Sequence, residues 1–215
     1  MQELKNFHEN ISELQIEQFE IFKANLLDWN SRMNLTTITD DLGILHKHFL
    51  DSLTLLDCLP SDLPNDFSMV DIGCGAGFPG LPIKIMQPKI KLTLVDSLRK
   101  RIFFLEDTIA KLQLANISCF HERAEILAKN PEHRQKYDIC TARAVAPLQK
   151  LTEWCLPFIK QNGTFLAMKG PNVYQEIQEA KSTIASLNAE ITQIKKIEVV
   201  PNLNHTIIII KNKLT

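Results

Sequence analysis

Met69-Val70-Asp71-Ile72-Gly73-Cys74-Gly75-Ala76-Gly77-Phe78-Pro79-Gly80-Leu81-Pro82-Ile83-Lys84-Ile85 decides how the rest of this 215-residue chain is read. A short apolar run ending on an acid, glycines at alternate positions, then apolar residues at helical spacing predict a strand, a tight loop and a helix. Lacking Cβ atoms, such glycines reach positive φ and let a ligand lie against the main chain. What lies there is the first question about function.

Downstream of this stretch, apolar runs alternate with helical patterns, the signature of a doubly wound α/β sheet. Strands are expected at residues 90–95, ending on Asp96, and at 117–121, 137–141 and 163–168, the last leading into Lys169-Gly170-Pro171. Helices are expected over 98–112, 149–159 and 173–187. Strands at 191–200 and 205–211, joined by Pro201-Asn202-Leu203-Asn204, form an antiparallel hairpin. Upstream, Ile11, Leu14, Ile16, Phe19, Phe22, Leu26 and Leu27 follow a 3.6-residue period, and Ser12 and Gln15 have capping-box spacing. Residues 30–37 read as a loop, and a second helix runs from Asp40 or Asp41 to about Leu56. Pro60 and Pro64 then close an N-terminal helical cap, residues 1–66, ahead of an α/β domain, residues 67–215.

With 45% hydrophobic and 23% charged residues, the chain can bury one large core. Its five cysteines are scattered, with no Cys-x-x-Cys pair, so neither a disulfide framework nor a zinc site is expected. His46 and His48, two positions apart on a helix, point to different faces, and no metal is expected from them. The apolar run Ile207 to Ile210 is too short to span a bilayer, and no basic, apolar leader opens the chain. These features predict a soluble, cytoplasmic monomer with no membrane partner. The net charge of −1 conceals an asymmetry: residues 1–66 carry four Lys/Arg against twelve Asp/Glu (−8), residues 67–215 twenty against thirteen (+7). The second part would attract a polyanion, or the two surfaces simply pack on each other.

Gly75-Ala76-Gly77-Phe78-Pro79-Gly80 matches the G-x-G-x-x-G dinucleotide fingerprint, so a nicotinamide or flavin cofactor has to be weighed. The register from Asp71, acidic-x-Gly-x-Gly-x-Gly, instead resembles the S-adenosylmethionine loop of class I methyltransferases. Asp96, at the second strand's tip, suits the ribose hydroxyls of either cofactor. The terminal hairpin favours S-adenosylmethionine, because it resembles the end of the seven-stranded methyltransferase sheet, a Rossmann-like α/β fold whose last strand is antiparallel.

Asn34-Leu35-Thr36, His48-Phe49-Leu50-Asp51-Ser52, the Asp71–Gly80 loop, Asp96-Ser97-Leu98-Arg99-Lys100-Arg101, Arg123-Ala124-Glu125, Ala142-Arg143-Ala144 and Lys169-Gly170 together resemble the ribosomal RNA small subunit methyltransferase G family. The resemblance covers nearly the whole chain. It implies methyl transfer from S-adenosyl-L-methionine to N7 of a guanine in small-subunit (16S) ribosomal RNA, with free rRNA or a ribosomal particle as partner. It implies that Gly73 and Phe78 contact the cofactor, that Ala124 and Glu125 lie beside the adenine, and that Arg143, just past the fourth strand, stands in the active cleft. Asn204 departs from the resemblance, which leads one to expect Arg before His205.

Guanine N7 has a lone pair and no proton to lose, so attack on a sulfonium methyl needs no general base. Catalysis is then chiefly alignment, which contributes on the order of 7–11 kcal/mol at its favourable extreme. No Asn/Asp-Pro-Pro-aromatic tetrad, the mark of exocyclic-amine methylation, follows the fourth strand. Cys140, inside an apolar run, reads as a buried thiol rather than a nucleophile. Arg143 is the candidate catalytic residue; its partner is the cofactor carboxylate, guanine O6 or a phosphate, or else it forms a structural salt bridge. A grip on O6 and N7 together would occupy the attacking lone pair. Arg123, Lys169, Lys100 and Arg101 are candidate phosphate contacts, the last two equally a solvated face. Gly75 and Gly77 complete the cofactor loop. Asp71 bridges to the cofactor's methionine end or caps the loop, and Phe78 supports the cofactor or packs the helix start. Two alternatives stay open: a class I methyltransferase for a small molecule or protein, and a cofactor-sensing RNA-binding protein that performs no chemistry.

Overall fold

The computed structural model describes residues 2–7 and 11–213. Helices α1 (Gln2–Phe7) and α2 (Glu13–Asn30) open the described chain. The Ser12–Gln15 capping box is present in both directions and starts α2 where its spacing predicts. The helix expected from Asp41 to Leu56 is broken instead into α3 (Asp41–Ile44), a π-helical turn (Leu45–Leu50), α4 (Asp51–Leu53) and a 3-10 turn (Leu56–Cys58). Residues 48–55 are all buried, so this segment is packed on every side and lacks the exposed face that a regular amphipathic helix would present.

The remainder alternates as expected: β1 (Ser68–Ile72), α5 (Gly80–Met86), β2 (Lys91–Asp96), α6 (Arg99–Leu112), β3 (Ile117–His121), α7 (Ala124–Leu127), β4 (Tyr137–Arg143), α8 (Leu148–Cys155), β5 (Ile159–Lys169), α9 (Tyr174–Ser186), β6 (Ala189–Val200) and β7 (Leu203–Asn212). Seven strands form one sheet in the order β3-β2-β1-β4-β5-β7-β6. β1 to β5 pair in parallel, while β7 runs antiparallel to both β5 and β6. Several boundaries differ from the sequence reading, among them the end of α8 at Cys155, where the helix was expected to reach 159. β4 extends through Arg143, which therefore sits inside the strand and pairs with Met168 of β5. β5 begins at Ile159, where a Cβ on Gly163 would come within 2.9 Å of the Asp138 carbonyl. The hairpin turn shrinks to Pro201-Asn202, with Asn202 at φ 69°. The short α7 went unread because four residues carry too little periodicity to register.

Each face of the sheet buries its own apolar cluster. On one side α7, α8 and α9 cover Val70, Ile72, Cys140 and Phe165. On the other, the N-terminal helices join α5 and α6 in a single cluster containing Phe19, Phe22, Phe49, Phe78, Leu81 and Phe104. Phe22 stacks on Phe78 with ring centroids 5.1 Å apart. Polar ties run alongside: Asn25 Nδ2 donates to Thr108 Oγ1 at 2.8 Å, and Trp29 Nε1 to Asp107 Oδ2 at 2.8 Å. The glycine loop is thereby clamped between the sheet and the N-terminal helices.

Candidate functional site

Parallel α/β sheets gather their ligands at the carboxyl ends of the strands, and three adjoining clefts open at that edge here. The first, about 280 Å³, is lined by Ile72, Gly73, Asp96, Ala124 and Glu125. The second, about 170 Å³, lies among Thr36, His48, Gly75, Phe78 and Arg143. The third, about 240 Å³, is bounded by Arg143, Met168, Lys169, Glu176 and His205. Gly73 also borders the second cleft and Arg143 the third, so the three form a row.

The loop between the first two clefts depends on glycine. Gly73 and Gly75 have φ of 68° and 58°, in the left-handed region that disfavours side chains. A Cβ on Gly73 would meet Val145 Cγ2 at 2.7 Å, whereas one on Gly75 would stand in open space with only the Gly73 carbonyl at 4.0 Å. Gly75 thus exposes bare backbone to the cleft, the kind of cradle an adenosyl ligand needs. Gly77, at φ 85°, lies behind it against Leu81.

Asp71 is wholly buried, and its Oδ2 accepts the Gly80 N–H at 2.8 Å, so of its two expected roles the geometry displays the capping of the loop. Its Oδ1 has no partner among the described residues. Burial pushes the carboxyl up to about 7, against the opposing pull of the Gly80 hydrogen bond and the Arg143 charge. Asp96 holds its neighbours in place: Oδ2 accepts from Gly75 N at 2.9 Å and Arg101 Nη1 at 3.1 Å, and Oδ1 from Leu98 N at 2.9 Å. Ala124 and Glu125 lie past the end of β3, in the first turn of α7.

Arg143 is the most constrained of the candidates. Its Nη1 donates to Asp51 Oδ2 at 2.8 Å and to the Lys47 carbonyl at 3.1 Å, and its guanidinium sits 5.1 Å from the Phe78 ring centre. The expected structural salt bridge is therefore present, Nη2 lies 3.4 Å from His48 Nδ1, and Nε has no partner among the described residues. The Lys47 carbonyl belongs to the π-helical turn, where regular i→i−4 bonding is suspended and an acceptor becomes free. Asp51 Oδ1 accepts from His205 Nδ1 at 2.6 Å. Burial alone would raise the Asp51 carboxyl, but the His205 hydrogen bond and Arg143 together hold it below its ordinary value. His48 stacks on Phe78 at 4.6 Å, and its Nε2 lies 2.8 Å from Thr36 Oγ1. Burial, then the Arg143 charge, lower its pKa to about 4.

Of the candidate phosphate contacts, Lys100 and Arg123 are exposed. Arg101 is paired with Asp96, and Lys169 with Glu176 Oε2 at 2.7 Å and the Ala146 carbonyl at 2.9 Å, so these two are already committed within the fold. Asn204 is exposed on β7 beside His205. Cys140 is fully buried, and burial drives its thiol pKa well up. His46 faces away from His48 and pairs with Glu3 at 2.6 Å. Among the described residues no group of three or more His, Cys, Asp or Glu could hold a metal, and no helix is long and apolar enough to cross a membrane.

Comparison with known proteins places this geometry. The family described as GidB, rRNA small subunit methyltransferase G, matches residues 15–204. The chain belongs to the rRNA small subunit methyltransferase G family. It is 47% identical over 195 residues to a ribosomal RNA small subunit methyltransferase G of Clostridium botulinum, covering 90% of this chain and 81% of that one. It is 46% identical over 185 residues to the same-named protein of Oceanobacillus iheyensis, covering 86% and 77%. The TYW2 crystal structure from M. jannaschii in complex with AdoMet superposes with a TM-score of 0.58 at 14% identity, over 81% of this chain and 78% of that one. This likeness concerns the fold, that of a class I S-adenosylmethionine-dependent methyltransferase. S-Adenosylmethionine is the methyl donor of this family member, and the residues fit it: the loop is open on the cleft side at Gly75, and Asp96, Ala124 and Glu125 ring the adjoining cleft.

Asp51, His205, Thr36 and Glu176 were missed as site residues. Asp51 lay within a quoted segment, but His205 is 154 positions away, and no local pattern announces such a pair.

Proposed function

We propose that this protein transfers a methyl group from S-adenosylmethionine to N7 of a guanine in small-subunit (16S) ribosomal RNA, by in-line attack without a general base. Family membership supports methylation of small-subunit rRNA; guanine and N7 are our reading. One observation carries the mechanism. His48, the imidazole lining the cleft beside the loop, has a pKa near 4, with Thr36 and the Lys47 carbonyl beside its two ring nitrogens, so it is a poor proton acceptor. That suits an acceptor atom with no proton to remove.

When bound, S-adenosylmethionine supplies the methyl group, and its sulfur keeps the C–S electron pair as N7 forms the new bond. Gly73, Gly75 and Phe78 hold the donor, with Gly77 and Asp71 fixing the loop from behind. Asp96, Ala124 and Glu125 serve its adenosine half. Arg143 offers its Nε at the junction of the second and third clefts. Lys100 and Arg123 approach RNA phosphates.

Small-subunit particles incubated with labelled S-adenosylmethionine should acquire label at one guanine N7. Label on another base or atom overturns the specific reading, and unlabelled RNA overturns the enzymatic one. Arg143→Ala should lower turnover by at least a hundredfold in protein that stays folded, with a lowered melting temperature because Asp51 loses a partner; near wild-type turnover refutes its role. Raising salt from 50 to 200 mM should weaken transfer steeply while cofactor affinity holds, because phosphate contacts release counterions.

A further inference from the structure

The third cleft has no place in the donor site, yet it shares Arg143 with it and lies where β4 and β5 end. Its outer wall carries an ion pair between a buried lysine and a partly exposed glutamate. Lys169, with a side chain only 9% exposed, gives two of its three N–H donors to Glu176 Oε2 and the Ala146 carbonyl. Glu176 Oε2 also accepts the Leu148 N–H at 2.8 Å, while Oε1 accepts nothing among the described residues. The wall therefore presents one unspent donor and one unspent carboxylate oxygen, side by side, on groups whose other atoms are pinned.

Guanine has the complementary edge: the O6 acceptor stands next to the N1–H and N2–H donors, and N7 lies on the far side of O6. Adenine shows the reverse polarity, a donor at N6 and an acceptor at N1. Resting on the guanine-N7 reading above, we infer that this cleft seats the acceptor base. Lys169 donates to O6, and Glu176 Oε1 accepts from N1–H and N2–H. N7 is then left facing Arg143 and the donor cleft. The reader of the base is thus the Lys169–Glu176 pair, so Lys169 is a base contact and not the phosphate contact its charge suggests. An aligned pair of this kind fixes identity and orientation at once, because the site's polar groups go unpaired against any other base.

Inosine isolates the claim, since it keeps O6, N1–H and N7 and lacks only the N2 amine. Particles are reconstituted with guanosine or inosine at the nucleotide the wild type methylates, and kcat/KM is measured for each. The wild type should prefer guanosine by on the order of ten- to a hundredfold. Glu176→Gln retains an oxygen for Lys169 and Leu148 but loses the carboxylate, and should bring that ratio close to one with cofactor affinity unchanged. Lys169→Met should lower both rates together and leave the ratio as in the wild type, because O6 is common to both bases. Equal rates on the two bases by the wild type, or an unchanged ratio in Glu176→Gln, overturn the assignment. Should Glu176→Gln not fold, the wild-type ratio and Lys169→Met still decide. A product that does not co-elute with authentic 7-methylguanosine marks instead the failure of the N7 reading, and this assignment falls with it.

Discussion

Asp71 and His48 flank the glycine loop and titrate against each other. Asp71 stays protonated in the fold up to about pH 7, whereas the unfolded chain loses that proton near pH 4. Over that window the folded state binds more protons, so this group makes stability fall as pH rises. His48 behaves oppositely: with a folded pKa of about 4 and an ordinary value of 6.5, it makes stability fall as pH drops from about 6.5 to 4. Asp71→Asn should therefore gain stability relative to wild type between pH 4 and 7, by a few kcal/mol at about 1.4 per unit. His48→Gln should gain relative to wild type as pH falls from 6.5 to 4. Urea midpoints at pH 4, 5.5 and 7 measure both, and differences that stay flat across that range refute them. Gly73 tests the loop by itself. Alanine there meets left-handed strain of about 1–2 kcal/mol and a Val145 methyl 2.7 Å away. Gly73→Ala should weaken both folding and cofactor binding, and adding Val145→Ala should restore only the part due to the clash, as a double-mutant cycle would read.

Among the elements, those set by local pattern were legible in the sequence. The Ser12–Gln15 box, the strand running through Asp71, the parallel run to β5 and the closing hairpin all follow from periodicity and caps spanning a few residues. What escaped was set by tertiary packing. The π-helical turn at Leu45–Leu50 has no sequence signature, because its cause is the burial of every residue from 48 to 55 and the demand for a carbonyl at Arg143. The site divides the same way: the glycine loop and Asp96 follow from spacing along one chain segment each, and Arg143 from the family resemblance, whereas Asp51 and His205 meet only because α4 and β7 pack together. Asp51 joins α4, β4 and β7 through two ion pairs, so its neutral isostere probes all three. Asp51→Asn should cost about 3 kcal/mol, the usual penalty for stranding buried charge, and should lower turnover more than cofactor affinity. A stability loss with normal turnover would reduce the network to scaffolding.

For the whole molecule, the charge asymmetry and the prolines lead one to expect a division at residue 67, and one core cluster runs across that point. Phe19, Phe22 and Phe49 are fully buried in the cluster that also holds Phe78, Leu81 and Phe104, so the face of α5 and α6 is finished only by residues 1–66. Burying one such ring contributes about 1.5–3 kcal/mol, and three of them match much of the roughly 5–15 kcal/mol that holds a domain folded. The same helices supply Asp51 to Arg143 and His48 to Phe78, so they complete the site as well as the core. We therefore expect the full chain to unfold in one cooperative step, with fluorescence and far-ultraviolet circular dichroism tracing the same curve. A fragment of residues 67–215 should show neither a cooperative transition nor S-adenosylmethionine binding, because it exposes Phe78 and Phe104 and strands Arg143. Two resolved transitions in the full chain, or a fragment that folds and binds the donor, would make the N-terminal helices a separable cap whose role is confined to the RNA.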